Sequence, residues 1–252
     1  MHNTVIALAA FAAGAINSIA GGGTLLSFPA LVWIGVNPVM ANATNSFALW
    51  PGSFAAMVGF RHELAKIRHW LLLLTIPAFA GGAVGAVLLL HTSMATFTHL
   101  VPFLILGATL LLATQELITR RLGLVAHAHE KPTAGWITFV FVFQFLVGIY
   151  GGYFGGGIGI LILAALGFIG LTDMHEMNGL KNLLAICING VAAIYFAFSG
   201  AVLWKDGFIM AVAAVIGGYL GARIAHRFGR DFVRRAVIVI GLTMGVALFF
   251  KR

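Results

Sequence analysis

Residues 14–29 read GAINSIAGGGTLLSFP, and residues 148–163 read GIYGGYFGGGIGILIL. In both, an apolar run meets three successive glycines and resumes as a short apolar stretch, TLLSFPALVWIGV (24–36) and IGILILAALGFIGL (158–171). A shift of 134 lays Gly14 on Gly148, and Gly21, Gly22 and Gly23 on Gly155, Gly156 and Gly157. A shift of 136 lays Gly81, Gly82, Gly85 and Ala86 on Gly217, Gly218, Gly221 and Ala222. The same shift lays Asn42, Asn45, Ser46 and Ser53 on Asn178, Lys181, Asn182 and Asn189. Three blocks in one order, two residues apart in offset, indicate an internal duplication. We expect a first membrane repeat at 1–119, a basic cytoplasmic linker at 120–133 and a second membrane repeat at 134–252. Such repeats are the usual architecture of secondary transporters.

The composition fixes the solvent. Of 252 residues, 61% are apolar and 9% charged, against about 25% charged in soluble domains, and the mean hydropathy is +1.02. A soluble enzyme and a nucleic-acid binder are excluded, as is a disordered chain. The net charge of +8 then reads as Lys and Arg retained in cytoplasmic loops. The single Cys187 allows no intrachain disulfide. The apolar N-terminus lacks Lys or Arg ahead of its hydrophobic run and reads as a first membrane segment rather than a signal peptide.

Apolar segments fall at 3–20, 24–36, 43–60, 69–90, 97–118, 134–154, 158–171, 183–200, 207–225 and 236–250. A spanning helix needs about 20 residues, which eight of the ten reach or approach. The expected fold is an all-α polytopic membrane protein of eight long spans plus two short helices, each preceded by glycine. If all ten cross, 12 of the 15 Lys and Arg gather on one side; if the two short ones do not, the split is 9 to 6. The positive-inside rule favours the first arrangement. Five crossings is an odd number, so the repeats are expected to be inverted.

Three sets of residues could bind a ligand. Three successive glycines weaken a helix by roughly 1 kcal/mol each relative to Ala and free backbone groups that lipid cannot satisfy. Gly21, Gly22 and Gly23, with Gly155, Gly156 and Gly157, therefore either permit close packing or mark helix N-termini whose N–H groups hold an anion. The Gly81 and Gly217 blocks place small residues on one helix face and read as packing devices. The second set is a paired polar stripe. Asn42, Ser46 and Ser53 share one face at helical spacing, and Asn178, Asn182 and Asn189 repeat it, with Thr44 and Asn45 adjoining. These either glue helices together or line a shared site. The third is Lys181, opposite uncharged Asn45, which either snorkels to the interface or supplies charge to an anion. Asp173, His175 and Glu176 are candidate proton carriers or a solvated loop.

Other patterns carry less. His127 and His129 form a pair without further ligands, so no metal site is expected. No Walker loop occurs, and GGYFGGGIG lacks the strand and acidic partner of a nucleotide site, so neither a cofactor nor direct use of ATP is expected.

The GGG run followed by NPVMANATNSFA, the second-half GIYGGYFGGGIGILIL, and the downstream MNGLKNLLAICINGVAAIYFAFSGAVLW and GGYLGARIA together resemble the TauE/SafE family of sulfite-exporter-like permeases. The resemblance covers nearly the whole chain. It implies about eight spans and transport of small sulfur-containing or organic anions (sulfite, sulfoacetate, other sulfonates) coupled to protons. The expected protein is thus a transporter in the cell membrane, not an enzyme. Its partners are a small anionic substrate, protons as coupling ion and the lipid bilayer, with no nucleic acid; a homo-oligomer is compatible. A passive anion channel, and a membrane enzyme or assembly factor without transport activity, are the competing classes. The latter calls for a His/Asp/Glu constellation that the sequence lacks.

Overall fold

The computed structural model describes residues 2–19, 22–58, 68–126, 133–169, 171, 173–228 and 230–250. Among them ten helices follow in order: α1 (His2–Ile19), α2 (Thr24–Trp33), α3 (Pro38–Val58), α4 (Arg68–His91), α5 (Met94–Ala126), α6 (Ala134–Tyr153), α7 (Ile158–Phe168), α8 (Met174–Phe198), α9 (Trp204–Phe228) and α10 (Arg230–Phe250). The all-helical membrane fold is as expected. Five helices among the described residues are long and apolar enough to cross a bilayer, namely 70–91, 94–118, 134–153, 176–198 and 233–250, which accounts for five of the eight long spans expected. Helix ends differ from the apolar runs. The polar turn before residue 183 is already helical, because Asp173 caps α8 by accepting from the Glu176 N–H at 3.2 Å.

Close contacts fix the helix directions. Trp136, in the first turn of α6, donates its indole N–H to the carbonyl of Phe168 at the end of α7, so α7 runs back along α6. Lys181 lies over Gly159 and Asn189 beside Gly155, so α8 runs opposite to α7 and along α6. The short link 199–203 turns α9 back again. Gly14 packs on Ala214 and Gly217 on Phe11, and correspondingly Gly148 packs on Ala78 and Gly81 on Phe145. In each pair the residue meets a carbonyl three positions N-terminal to its level partner, as parallel helices do. Helix α1 therefore runs with α9, and α4 with α6. The first helices of the two halves point in opposite directions, and the repeats are inverted.

The packing follows the same exchange. Helix α1 seats on α9 as α6 does on α4, α3 meets α9 as α8 meets α4, and the pairs α3–α8 and α5–α10 lie on the pseudo-two-fold axis. Trp50 and Ile186, counterparts at a shift of 136, touch directly through an indole-to-carbonyl bond of 3.2 Å. Large apolar side chains such as Leu72, Ile76, Leu110, Leu146 and Val212 are exposed, which suits a lipid-facing surface.

Glycine makes the α1–α9 and α4–α6 contacts. A Cβ on Gly217 would overlap the backbone of Phe11, with Phe11 Cα only 2.9 Å away. We expect Gly217→Leu to destabilise the fold by at least the ~1–3 kcal/mol typical of overpacking, read as a lower melting temperature of the purified protein. Gly107, with nothing within 4 Å of its added Cβ, is the contrast. Gly107→Ala should be neutral or stabilising by up to about 1 kcal/mol.

The alternation places the C-terminal ends of α3, α5 and α9, which lead toward the basic stretches of sequence, at one end of the bundle, and the start of α1 and the end of α10 at the other. A reporter active only in the cytoplasm and fused after Arg252 should therefore stay dark. A bright signal from an inserted fusion reverses the sidedness.

Candidate functional site

Both glycine breaks are genuine departures from helix. Gly22 has φ +91°, and Gly155 and Gly157 have φ +76° and +71°, in the region that Cβ-bearing residues avoid. Gly156 is squeezed against the Phe154 ring, 2.7 Å from a built Cβ. Gly21 lies outside the described residues.

Side chains hold each break open. At the first, Asn17 Oδ1 accepts the Gly23 N–H at 2.7 Å, while the Gly23 carbonyl accepts from Ser27 Oγ at 3.1 Å. Asn45 Oδ1 on α3 competes for the same Ser27 hydroxyl proton at 2.5 Å. At the second, the Tyr150 hydroxyl donates to the Gly156 carbonyl at 2.6 Å, and Asn42 Nδ2 donates to the Tyr153 carbonyl at 2.8 Å. The polar stripe of α3 thus reaches the broken segments of both halves.

The breaks converge. Gly22 abuts Leu112 of α5 and Val237 of α10, at 3.4 and 3.6 Å from a built Cβ; Gly156 and Gly157 abut Ala108 of α5, both at 3.3 Å. Ala108 and Leu112 are one helical turn apart on the same face. Phe28 of α2 also meets Phe154 edge-on, ring centroids 5.4 Å apart. From this junction α2 and α7 depart in opposite directions, so two N-termini, each a positive dipole end, lie within about a turn of one another. Asn189, beside Gly155, is nine residues from the end of α8 and fifteen from its start, or roughly 14 and 22 Å at the helical rise. The junction is therefore deep in the span rather than at its rim.

The remaining predicted residues divide. Lys181 lays its stem over Gly159, 3.4 Å from a built Cβ, and donates from Nζ to Asn178 Oδ1 at 3.0 Å, so the stem covers the first turn of α7 while the charge sits one turn nearer the start of α8. Asn182 and Ser46 are half-buried on the same helices. Thr44 Oγ1 accepts the Leu203 N–H at 3.0 Å and so fastens the start of α9. The Ser53 and His175 side chains lie outside the described set, as do His127 and His129. Asp173 serves as the cap of α8. Among the described residues no group of three His, Cys, Asp or Glu could hold a metal.

One atom stands out. Asn42 is fully buried, and with Nδ2 committed to a carbonyl its Oδ1 has no partner. Because Nδ2 must face the Tyr153 carbonyl, the amide cannot be flipped to relieve it. Sequence reasoning missed Asn17, Ser27 and Tyr150, which hold the breaks. Their signal was position alone: a polar side chain within six residues of each glycine run.

The profile of the family described as sulfite exporter TauE/SafE matches residues 6–248. A probable membrane transporter protein of Haemophilus influenzae is 30% identical over 251 residues, covering 96% of this chain and 92% of its own length. The probable membrane transporter protein YfcA of Escherichia coli K12 is 28% identical, covering 98% and 89%. The probable membrane transporter protein ORF9 of a Sinorhizobium species is 29% identical, covering 96% and 90%. No solved structure matches.

Proposed function

The chain belongs to the TauE/SafE sulfite exporter family, and from that premise we propose that it is a secondary transporter of small anions in the cell membrane. Its substrates are sulfur-containing, with sulfite, sulfoacetate and other organosulfonates as the class, and protons are the coupling ion. The observation that carries the reading is the convergence of the two glycine breaks on one face of α5, each opening a short helix by its N-terminus. Backbone N–H groups and dipole ends at a helix break attract negative charge without a cationic side chain.

Lys181, whose stem covers the first turn of α7, adds charge on one side only, which suits a monoanion. The orphaned Asn42 Oδ1 is an acceptor and would be filled by a ligand bearing its own proton, such as hydrogensulfite. Anion and proton would then move together. A membrane enzyme needs an acid–base or metal constellation, and the polar groups of this junction are amides, hydroxyls and backbone.

The test is flux in proteoliposomes against sulfite, thiosulfate, sulfoacetate and acetate, with and without an imposed pH gradient. Accumulation of sulfite or a sulfonate above equilibrium, abolished by a protonophore, is the expected result. Equilibration without accumulation would make the protein a passive channel. No flux of any of the four would remove the reading.

A further inference from the structure

The face of α5 that meets both breaks continues one turn further. Gln115 follows Ala108 and Leu112 at helical spacing, is 7% exposed, and leaves its Oε1 buried without a partner. Across the seam on α10, Val237 touches Gly22, and Arg234 lies three residues before it, one turn nearer the basic end. Arg234 donates from Nη1 to Glu116 Oε1 on α5, yet its Nε is fully buried and unpartnered.

The pair is lopsided: the Arg234 side chain is 17% exposed and that of Glu116 56%. The guanidinium sits inside the seam while its carboxylate stands in the wet rim. A half-exposed partner screens a buried cation poorly, and an unmet buried donor is unfavourable. Arg234 is also the fifth residue of α10, near a helix N-terminus where the dipole disfavours a cation. Packing explains none of these three features. A second oxyanion would offset all of them, since a guanidinium offers a fork of N–H donors to two oxygens at once. Gln115, next in the chain to Glu116, leaves an unmet acceptor that the O–H of a protonated oxyanion would satisfy.

We propose that Arg234, with Gln115, forms a way-station for small oxyanions at the basic mouth, one turn before the first glycine break. Glu116 holds the arginine between arrivals and is displaced by the incoming anion. The site deepens the transporter reading and rests on it for its purpose, but its binding can be measured separately.

The experiment uses the full chain and radiolabelled sulfite, first in equilibrium binding to detergent-purified protein and then in vesicle uptake. Arg234→Gln should weaken sulfite binding about tenfold, or ~1.4 kcal/mol. Arg234→Lys should fall between, keeping charge but losing the fork. Glu116→Gln should tighten binding about threefold, on the scale of a half-exposed ion pair, because it removes the competitor. An ion pair that merely staples α5 to α10 makes no such split. If Glu116→Gln leaves sulfite affinity unchanged or weakens it, the proposal is overturned, and this variant decides even if Arg234→Gln fails to fold. Arg234-dependent binding without flux would keep the way-station and remove the transporter. Flux with equal affinity in all variants would do the reverse, and neither binding nor flux in the wild type would overturn both.

Discussion

Gly157→Val is expected to cut sulfite uptake at least about tenfold, equivalent to ~1.4 kcal/mol on the transport barrier, while the protein still inserts and purifies as a folded species. Gly157 caps α7 at φ +71°, where a β-branched residue is strained by about 1–3 kcal/mol. Its added Cβ would also stand 3.3 Å from the Ala108 carbonyl, and the two further methyls of valine would press on backbone that cannot yield. Gly22→Val should act in the same direction but less strongly, since Leu112 and Val237 meet it with flexible side chains at 3.4 and 3.6 Å. Gly35→Val separates strain from site. It has the same φ of +91° as Gly22 but nothing within 4 Å, and it lies in the α2–α3 link. If all three variants lose uptake equally, general instability is responsible and the breaks are packing devices.

The second large effect is electrostatic. Lys181→Gln should raise the half-saturation for a monoanion about tenfold, the consequence of losing ~1.4 kcal/mol of binding, with membrane abundance unchanged. A cation held within a span is unfavourable by about 2.5–3.5 kcal/mol at mid-depth and less near an end. The stem of Lys181 lies over Gly159 in the first turn of α7, and its ammonium group is held by Asn178, one turn nearer the start of α8. Lys181→Arg should retain part of the affinity, because charge survives while donor geometry changes. If Gln matches the wild type and Arg does not, shape governs the position and Lys181 leaves the binding site.

How much of this was legible in the sequence depends on what each residue reports. The duplication, the inversion and the helix breaks were readable because they rest on spacing and on the parity of loop charge. The two kinds of glycine were separable only in part. Gly157 and Gly217 look alike in composition, but one carries φ +71° and the other lies in regular helix against Phe11. Neighbouring sequence hinted at this through the short apolar run that follows each triplet. What stayed hidden were long-range pairings. Thr44 lies on the polar end of α3, and nothing in its neighbourhood announces that it fastens Leu203, 159 residues away. Arg234 read as one more cytoplasmic charge until Glu116, 118 residues earlier, appeared beside it. Helical periodicity tells which face is polar and is silent about what that face meets.

The glycine-lined union of α1 with α9 has a consequence for how the chain is made. Gly14 emerges from the ribosome about 200 residues ahead of Gly217, which at ~5–20 residues per second is roughly 10–40 s of synthesis. Throughout that interval the small-residue face of α1 has no native partner, whereas α4 waits only some 65 residues for α6. Biogenesis is therefore asymmetric although the finished architecture is pseudo-symmetric. The second half can close around α4 early, and the N-terminal helix waits for α9 to be seated. A nascent chain arrested before α9 should crosslink from α1 to the insertion machinery or to lipid, and release of the arrest should move that crosslink to α9.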